Sequence, residues 1–226
     1  MGSKNKLKRF AENASFEHVV QPSREELISG KFPLRGRWRE DFFANDNPLV
    51  VELGCGKGEY SVNLARKYPE KNFLGIDIKG ARFWRGAKTS LAEGLDNVGF
   101  VRMQIELLEQ AFSPGEIDEI WITFPDPQIK YKRTKHRLTN SAFLDRYRRV
   151  LQAGGPVHLK TDSEFLHGYT IGLLQGLEEE IDYAHHDIYG NHLSPEEATS
   201  IKTFYEQGYL EAGKKITYLR FRLRSS

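Results

Sequence analysis

The stretch Leu49-Val50-Val51-Glu52-Leu53-Gly54-Cys55-Gly56-Lys57-Gly58 decides the fold. A short β-branched run that stops at glycines reads as a buried parallel strand. Behind it, Glu59 to Tyr68 carries Tyr60, Leu64 and Tyr68 at helical spacing, with Pro69 just past the end. Glycines at a strand-to-helix junction let the backbone pass close beneath a ligand, and the helix start offers free N–H groups. A dinucleotide-binding loop would carry its third glycine where Glu59 stands. The acid at Glu52 would also repel a pyrophosphate, whereas it suits a ligand bearing an ammonium or sulfonium charge. Asp77 ends the next strand about 20 residues past the loop, where a carboxylate can accept from both hydroxyls of a ribose. The competing structural readings are a plain turn for the loop and a helix N-cap for Asp77.

Outward from the loop, strands and helices alternate, which predicts an α/β fold with a mostly parallel sheet. Strands are expected at Asn72 to Asp77, Val98 to Met103, Ile117 to Phe124 and Val157 to Lys160. Helices are expected at Ala81 to Ala92 and Ser141 to Leu151. In the C-terminal third, helices are expected at Glu164 to Glu179 and Pro195 to Gln207, with strands at Ile181 to Tyr189 and Ile216 to Phe221. That closing pair would add an antiparallel edge. Residues 1–47 show no clear strand and read as an N-terminal extension, partly flexible and basic, with Arg35-Gly36-Arg37-Trp38 a basic and aromatic patch. Residues 48–226 would form the main domain.

The chain has 226 residues, of which 39% are hydrophobic and 28% charged, so one globular domain can bury a core without staples. No apolar run approaches the roughly 20 residues of a membrane span, and no signal peptide is recognisable. The single cysteine, Cys55, excludes an intramolecular disulfide framework and any multi-cysteine metal site, which points to a cytoplasmic setting. The formal charge of +2 hides an uneven distribution. Lys130, Lys132, Arg133, Lys135, Arg137, Arg146, Arg148 and Arg149 share a stretch where Asp145 is the only acid, and Lys4, Lys6, Lys8 and Arg9 form a second cluster. That second cluster reads either as an arm that contacts nucleic acid or as a tail. His185-His186 reads as surface rather than a metal site, and Trp84 and Trp121 as core.

The fourth strand runs into Phe124-Pro125-Asp126-Pro127, which places a carboxylate where open α/β sheets bind substrates. The prolines fix φ and stiffen the turn. Gln128-Ile129-Lys130-Tyr131-Lys132-Arg133-Thr134-Lys135-His136-Arg137-Leu138-Thr139 follows directly. Cations that hold phosphates beside an acid that addresses base-edge donors are what a nucleic-acid base modifier needs.

The acid-x-Gly-x-Gly-x-Gly loop is similar to that of S-adenosylmethionine-dependent methyltransferases. With the strand-four motif, Leu159-Lys160-Thr161-Asp162 and Thr203-Phe204-Tyr205-Glu206, the chain from Glu52 onward resembles the bacterial-type tRNA (guanine-N7-)-methyltransferases. The resemblance implies a Rossmann-like class I methyltransferase fold, with a mostly parallel seven-stranded sheet and an antiparallel C-terminal strand. It implies S-adenosylmethionine held by Glu52, Gly54, Gly56, Gly58, Asp77 and Gln104, with Asp126 as the active-site acid. Lys130, Asp162, Thr203 and Glu206 would meet a tRNA substrate at a variable-loop guanine, and the protein would act as a monomer or homodimer without metal or membrane. Two positions depart from the family pattern. Gln128-Ile129 stands where Trp-Pro is frequent, leaving stacking to Tyr131 or Trp121. Gln104 stands where an acid is frequent, and Glu106 is its rival for the adenine. Cys55, inside the cofactor loop, sits too early to attack a pyrimidine ring, which argues against C5 methylation. An exocyclic-amino methyltransferase and an inactive RNA-binding module are the alternatives.

Overall fold

A computed structural model of the chain describes residues 3–224, with side chains from residue 7 onward; Lys4 and Lys6 of the basic N-terminal cluster lie outside the described side chains. In chain order the elements are α1 (Ser3–Asn13), β1 (Val19–Val20), α2 (Arg24–Ile28), β2 (Leu49–Leu53), α3 (Glu59–Lys67) and β3 (Asn72–Ile76). Next come α4 (Gly80–Glu93), β4 (Val98–Val101), α5 (Leu108–Ala111), β5 (Glu119–Thr123), α6 (Ser141–Val150) and β6 (Pro156–Thr161). The chain closes with α7 (Glu164–Gly176), β7 (Glu180–His185), α8 (Glu196–Thr199), α9 (Phe204–Glu211) and β8 (Thr217–Arg222).

The sheet order is β1-β4-β3-β2-β5-β6-β8-β7, and only β8 runs against its neighbours. From β2 the chain winds outward through β3 and β4, then returns to lay β5 and β6 on the other side. The reversal between β2 and β5 opens a crevice at the C-terminal ends of the strands, the usual ligand position in such sheets. β2 is buried along its whole length, as its near-continuous apolar run requires of a central parallel strand. In β5, Ile120 and Ile122 enter the core on one face with Leu144, Tyr147 and Leu159, while Trp121 enters the other with Tyr60, Phe100 and Tyr218.

The seven expected strands all form, and Val19–Val20 adds an eighth from the N-terminal segment. Two residues are too short to show a period, yet the open edge of β4 captures them: Phe100 N–H donates to His18 O and Arg102 N–H to Val20 O, both at 2.9 Å. Of the basic and aromatic patch Arg35-Gly36-Arg37-Trp38, the first three residues are exposed and only the tryptophan turns inward. Trp38 is wholly buried against Phe112, with its indole N–H on Ala111 O, and the buried Glu116 carboxylate accepts from Gly36 N and Trp38 N. The single helix expected over Pro195 to Gln207 is two, because Thr203 starts α9 with a capping box. Trp121 packs in the core, whereas Trp84 is half-buried under the Arg9 guanidinium and donates to Glu12, fastening α1 to α4. His185 and His186 stack on each other at the end of β7. Among the described residues no helix is long and apolar enough to cross a membrane.

Candidate active site

The glycine loop leaves β2 with Gly54, Gly56 and Gly58 all at positive φ, a path L side chains resist. Gly54 N and Cys55 N both donate to Ile76 O, which ties the loop to the end of β3. At Gly58 a Cβ would come within 2.5 Å of the Phe100 ring, so glycine is also what lets α3 sit this close to the sheet. Asp77, directly after β3, accepts from Gly56 N at 3.0 Å and from Lys79 N at 2.7 Å, so its carboxylate braces the loop from below. Each oxygen keeps a lone pair for a ribose hydroxyl.

Glu52 lies beneath the loop, 3% exposed. One oxygen accepts from Ser61 N and Oγ, the other from Thr123 Oγ1, so it links α3 to the end of β5. Burial pushes its carboxyl up to about 7, against the pull of those hydrogen bonds. Burial also raises the Cys55 thiol well above its ordinary range, so it is no nucleophile at neutral pH.

Phe124 and Gln128 both adopt left-handed backbone, which turns the chain sharply on either side of Pro125-Asp126-Pro127. Phe124 N donates to Lys160 O, and Asp126 Oδ1 accepts from Gln128 N at 3.0 Å, leaving an exposed carboxylate on a fixed turn. A 3-10 helix, Tyr131–His136, follows, on which Lys132, Arg133 and Lys135 are exposed and Tyr131 is 92% exposed. Arg137 does not belong to this surface. It is buried, donates to the carbonyls of Gln128 and Ile129, and stacks between Phe165 and Tyr169. Arg146 and Arg149 pair with Glu109, and Arg148 with Asp145 and Glu179. Among the described residues, the charge beside Asp126 without a side-chain ion pair is therefore Lys130, Lys132, Arg133 and Lys135.

At the end of β6, Asp162 accepts from Lys214 Nζ at 2.9 Å. Thr203 and Glu206 lie inward. Glu206 is wholly buried, accepts from Tyr189 Oη, pairs with Lys160, and closes the capping box with Thr203. Burial draws the Lys160 ammonium down to about 8 against the attraction of Glu206. What this anchor presents to solvent is Phe204 and Tyr205, with Lys57 of the glycine loop over both rings at 4.2 and 4.6 Å and Glu59 accepting from Phe204 N.

The C-terminal ends of β2, β3, β5 and β6 thus bring Gly54, Asp77, Asp126 and Asp162 to one edge. Gln104, after β4, is exposed with its amide oxygen on Arg24, and Glu106 is exposed two residues on. Sequence reading passed over Ser61 and Thr123, which hold Glu52, and Ile78, an apolar side chain 48% exposed beside Asp77. Leu138, part of the run after the strand-four motif, has its Cδ1 3.8 Å from where a Cβ at Gly54 would lie. Ile78 could have been found, since an apolar residue between an acid and a lysine at a strand end has no core to enter. The donor set fits S-adenosylmethionine: a carboxylate brace for ribose, a loop open above a buried acid, and an apolar neighbour for a flat ring.

The fold and this edge define a class I S-adenosylmethionine-dependent methyltransferase. Solved structures agree on the fold: the 16S rRNA methyltransferase KamB superposes with a TM-score of 0.62 at 14% identity, over 82% of this chain and 92% of that one. A family profile described as "Putative methyltransferase" matches residues 46–219. The tRNA (guanine-N(7)-)-methyltransferase of Christiangramia forsetii is 69% identical over 99% of this chain and its own full length. That of Porphyromonas gingivalis is 54% identical over 92% of this chain and 86% of its own. The chain belongs to the tRNA (guanine-N7-)-methyltransferase family.

Proposed function

We propose that this protein methylates N7 of a guanine in the variable loop of tRNA, with Asp126 holding the base. The observation that carries this reading is an exposed carboxylate on a stiff turn, flanked on one side by the cofactor loop and on the other by four cations without acid partners among the described residues. S-adenosylmethionine supplies a methyl group on a sulfonium, which the N7 lone pair takes as the carbon–sulfur bond breaks, with no proton to remove at the nucleophile. The protein's task is alignment, which can supply roughly 7–11 kcal/mol.

Asp126 accepts from the guanine N1–H and exocyclic amino group, orients N7 and offsets the positive charge that grows on the ring. Glu52, Gly54, Gly56, Gly58, Asp77 and Gln104 hold the cofactor. Lys130 and its neighbours hold phosphates, and Tyr131 supplies a face on which an unstacked base can rest. Asp162 and the Thr203 to Glu206 segment line the far side of the base. Residues 48–226 carry the chemistry, with residues 1–47 as an extension whose α1, β1 and α2 pack against α4, β4 and α5. A tRNA substrate and a lone buried thiol suit a reducing cytoplasm.

The test is incubation with labelled S-adenosylmethionine and bulk tRNA, followed by nucleoside mass spectrometry. 7-Methylguanosine is expected; N6-methyladenosine would make it an amino-methyltransferase, and no transfer would leave only an RNA-binding module.

A further inference from the structure

Many cations on this surface face an acid: Arg66 bonds Glu93, Arg149 bonds Glu109, Lys88 bonds Glu12 and Lys214 bonds Asp162. Beside the Lys130 to Lys135 run, a further cluster among the described residues does not. Lys79, Arg82 and Arg85, at the start of α4, are exposed and, among the described residues, have no side-chain hydrogen bond or ion pair. Spaced three apart, they share one helix face and span about 9 Å along its axis.

Their position gives this charge a direction. α4 begins three residues after Asp77, and Lys79 N donates to the Asp77 carboxylate, so the ridge rises from the cofactor side of the crevice. The Asp126 turn and its cations rise from the other side, with only β2 between β3 and β5. That separates the two strands by about 10 Å. α1 covers a different side of α4, through Asn13 on Gly80 O and Glu12 on Trp84 and Lys88, which leaves the Lys79–Arg85 face to solvent. Like charges at this spacing repel one another and no acid among the described residues pairs with them, a cost that a polyanion across the crevice would remove. Two arginines also offer planar forks suited to phosphate.

We infer that Lys79, Arg82 and Arg85 form a second phosphate-contact surface, which holds a segment of the tRNA backbone away from the methylated base. This rests on the function proposed above. The test compares the full-length wild type with Arg82→Gln/Arg85→Gln, on tRNA and on a short hairpin carrying the target guanine. For tRNA, affinity should fall about tenfold at low salt, and the slope of log affinity against log salt should shrink by about 1.5. The methylation rate at saturating tRNA and the affinity for the hairpin should stay at wild-type values. Wild-type tRNA affinity and salt slope in the variant would overturn the inference, as would an equal loss on the hairpin. If the wild type methylates no tRNA, the proposed function fails, while the binding and salt data still decide whether this surface contacts RNA.

Discussion

Lys160 Nζ lies 2.7 Å from Glu206 Oε1, and both side chains are wholly buried. Lys160 also donates to Ile201 O, and its own carbonyl accepts from Phe124 N, so one residue ties the Asp126 turn to the segment that starts α9. Breaking such a pair from one side strands a charge. Lys160→Met should therefore cost about 3–5 kcal/mol in urea unfolding. Lys160→Met/Glu206→Gln should recover most of that loss, and equal instability of the single and double variants would contradict the pairing.

Burial of Glu52 makes folding pH-dependent. Its carboxyl titrates near 4.5 when unfolded and about 7 when buried, so the native state binds the extra proton between those values. Its contribution to folding is full below 4.5 and is lost as pH rises through 7. A sulfonium above the loop favours the carboxylate, so cofactor binding should expel that proton. Calorimetry at pH 6, in buffers of different ionisation heat, should find proton release with S-adenosylmethionine and less with the uncharged thioether product. Identical release for both, or release that persists in Glu52→Gln, would count against this.

The pairing pattern separates cations that look alike in the sequence. Lys132→Gln/Lys135→Gln should lower the salt slope of tRNA binding by about 1.5, whereas Arg149→Gln, which only releases Glu109, should leave it unchanged. Equal effects would mean that the surface is not divided in this way.

Gly58→Ala tests the loop. The new methyl would meet the Phe100 ring and the backbone would be held at positive φ, so stability should fall by about 1–3 kcal/mol and cofactor binding should weaken with it. An unchanged melting temperature would refute the tight approach of α3.

The central sheet was legible because β2, β3 and β5 are largely apolar runs and β6 alternates apolar with polar residues, all four ending at glycine, acid or proline, and those endings are also the site. Val19–Val20 was not, because a two-residue strand has no period and owes its existence to the open edge of β4. The basic run was legible as charge but not as surface. Arg137 sits in the same run as Lys135 yet is buried, because two carbonyls and two aromatic rings receive it. Such partners come from turns and from α7, and local sequence carries no signal for them. Likewise the Thr203 to Glu206 spacing is a capping box as much as a substrate motif, and only the tertiary position of Lys160 shows the burial of Glu206.

An exposed Asp126 is proposed to position guanine for attack through N7. Single-turnover methylation of saturating tRNA by Asp126→Ala measures it most directly. The rate should fall by about 10²–10³, with tRNA and cofactor affinities close to wild type. A near wild-type rate of 7-methylguanosine formation would contradict it.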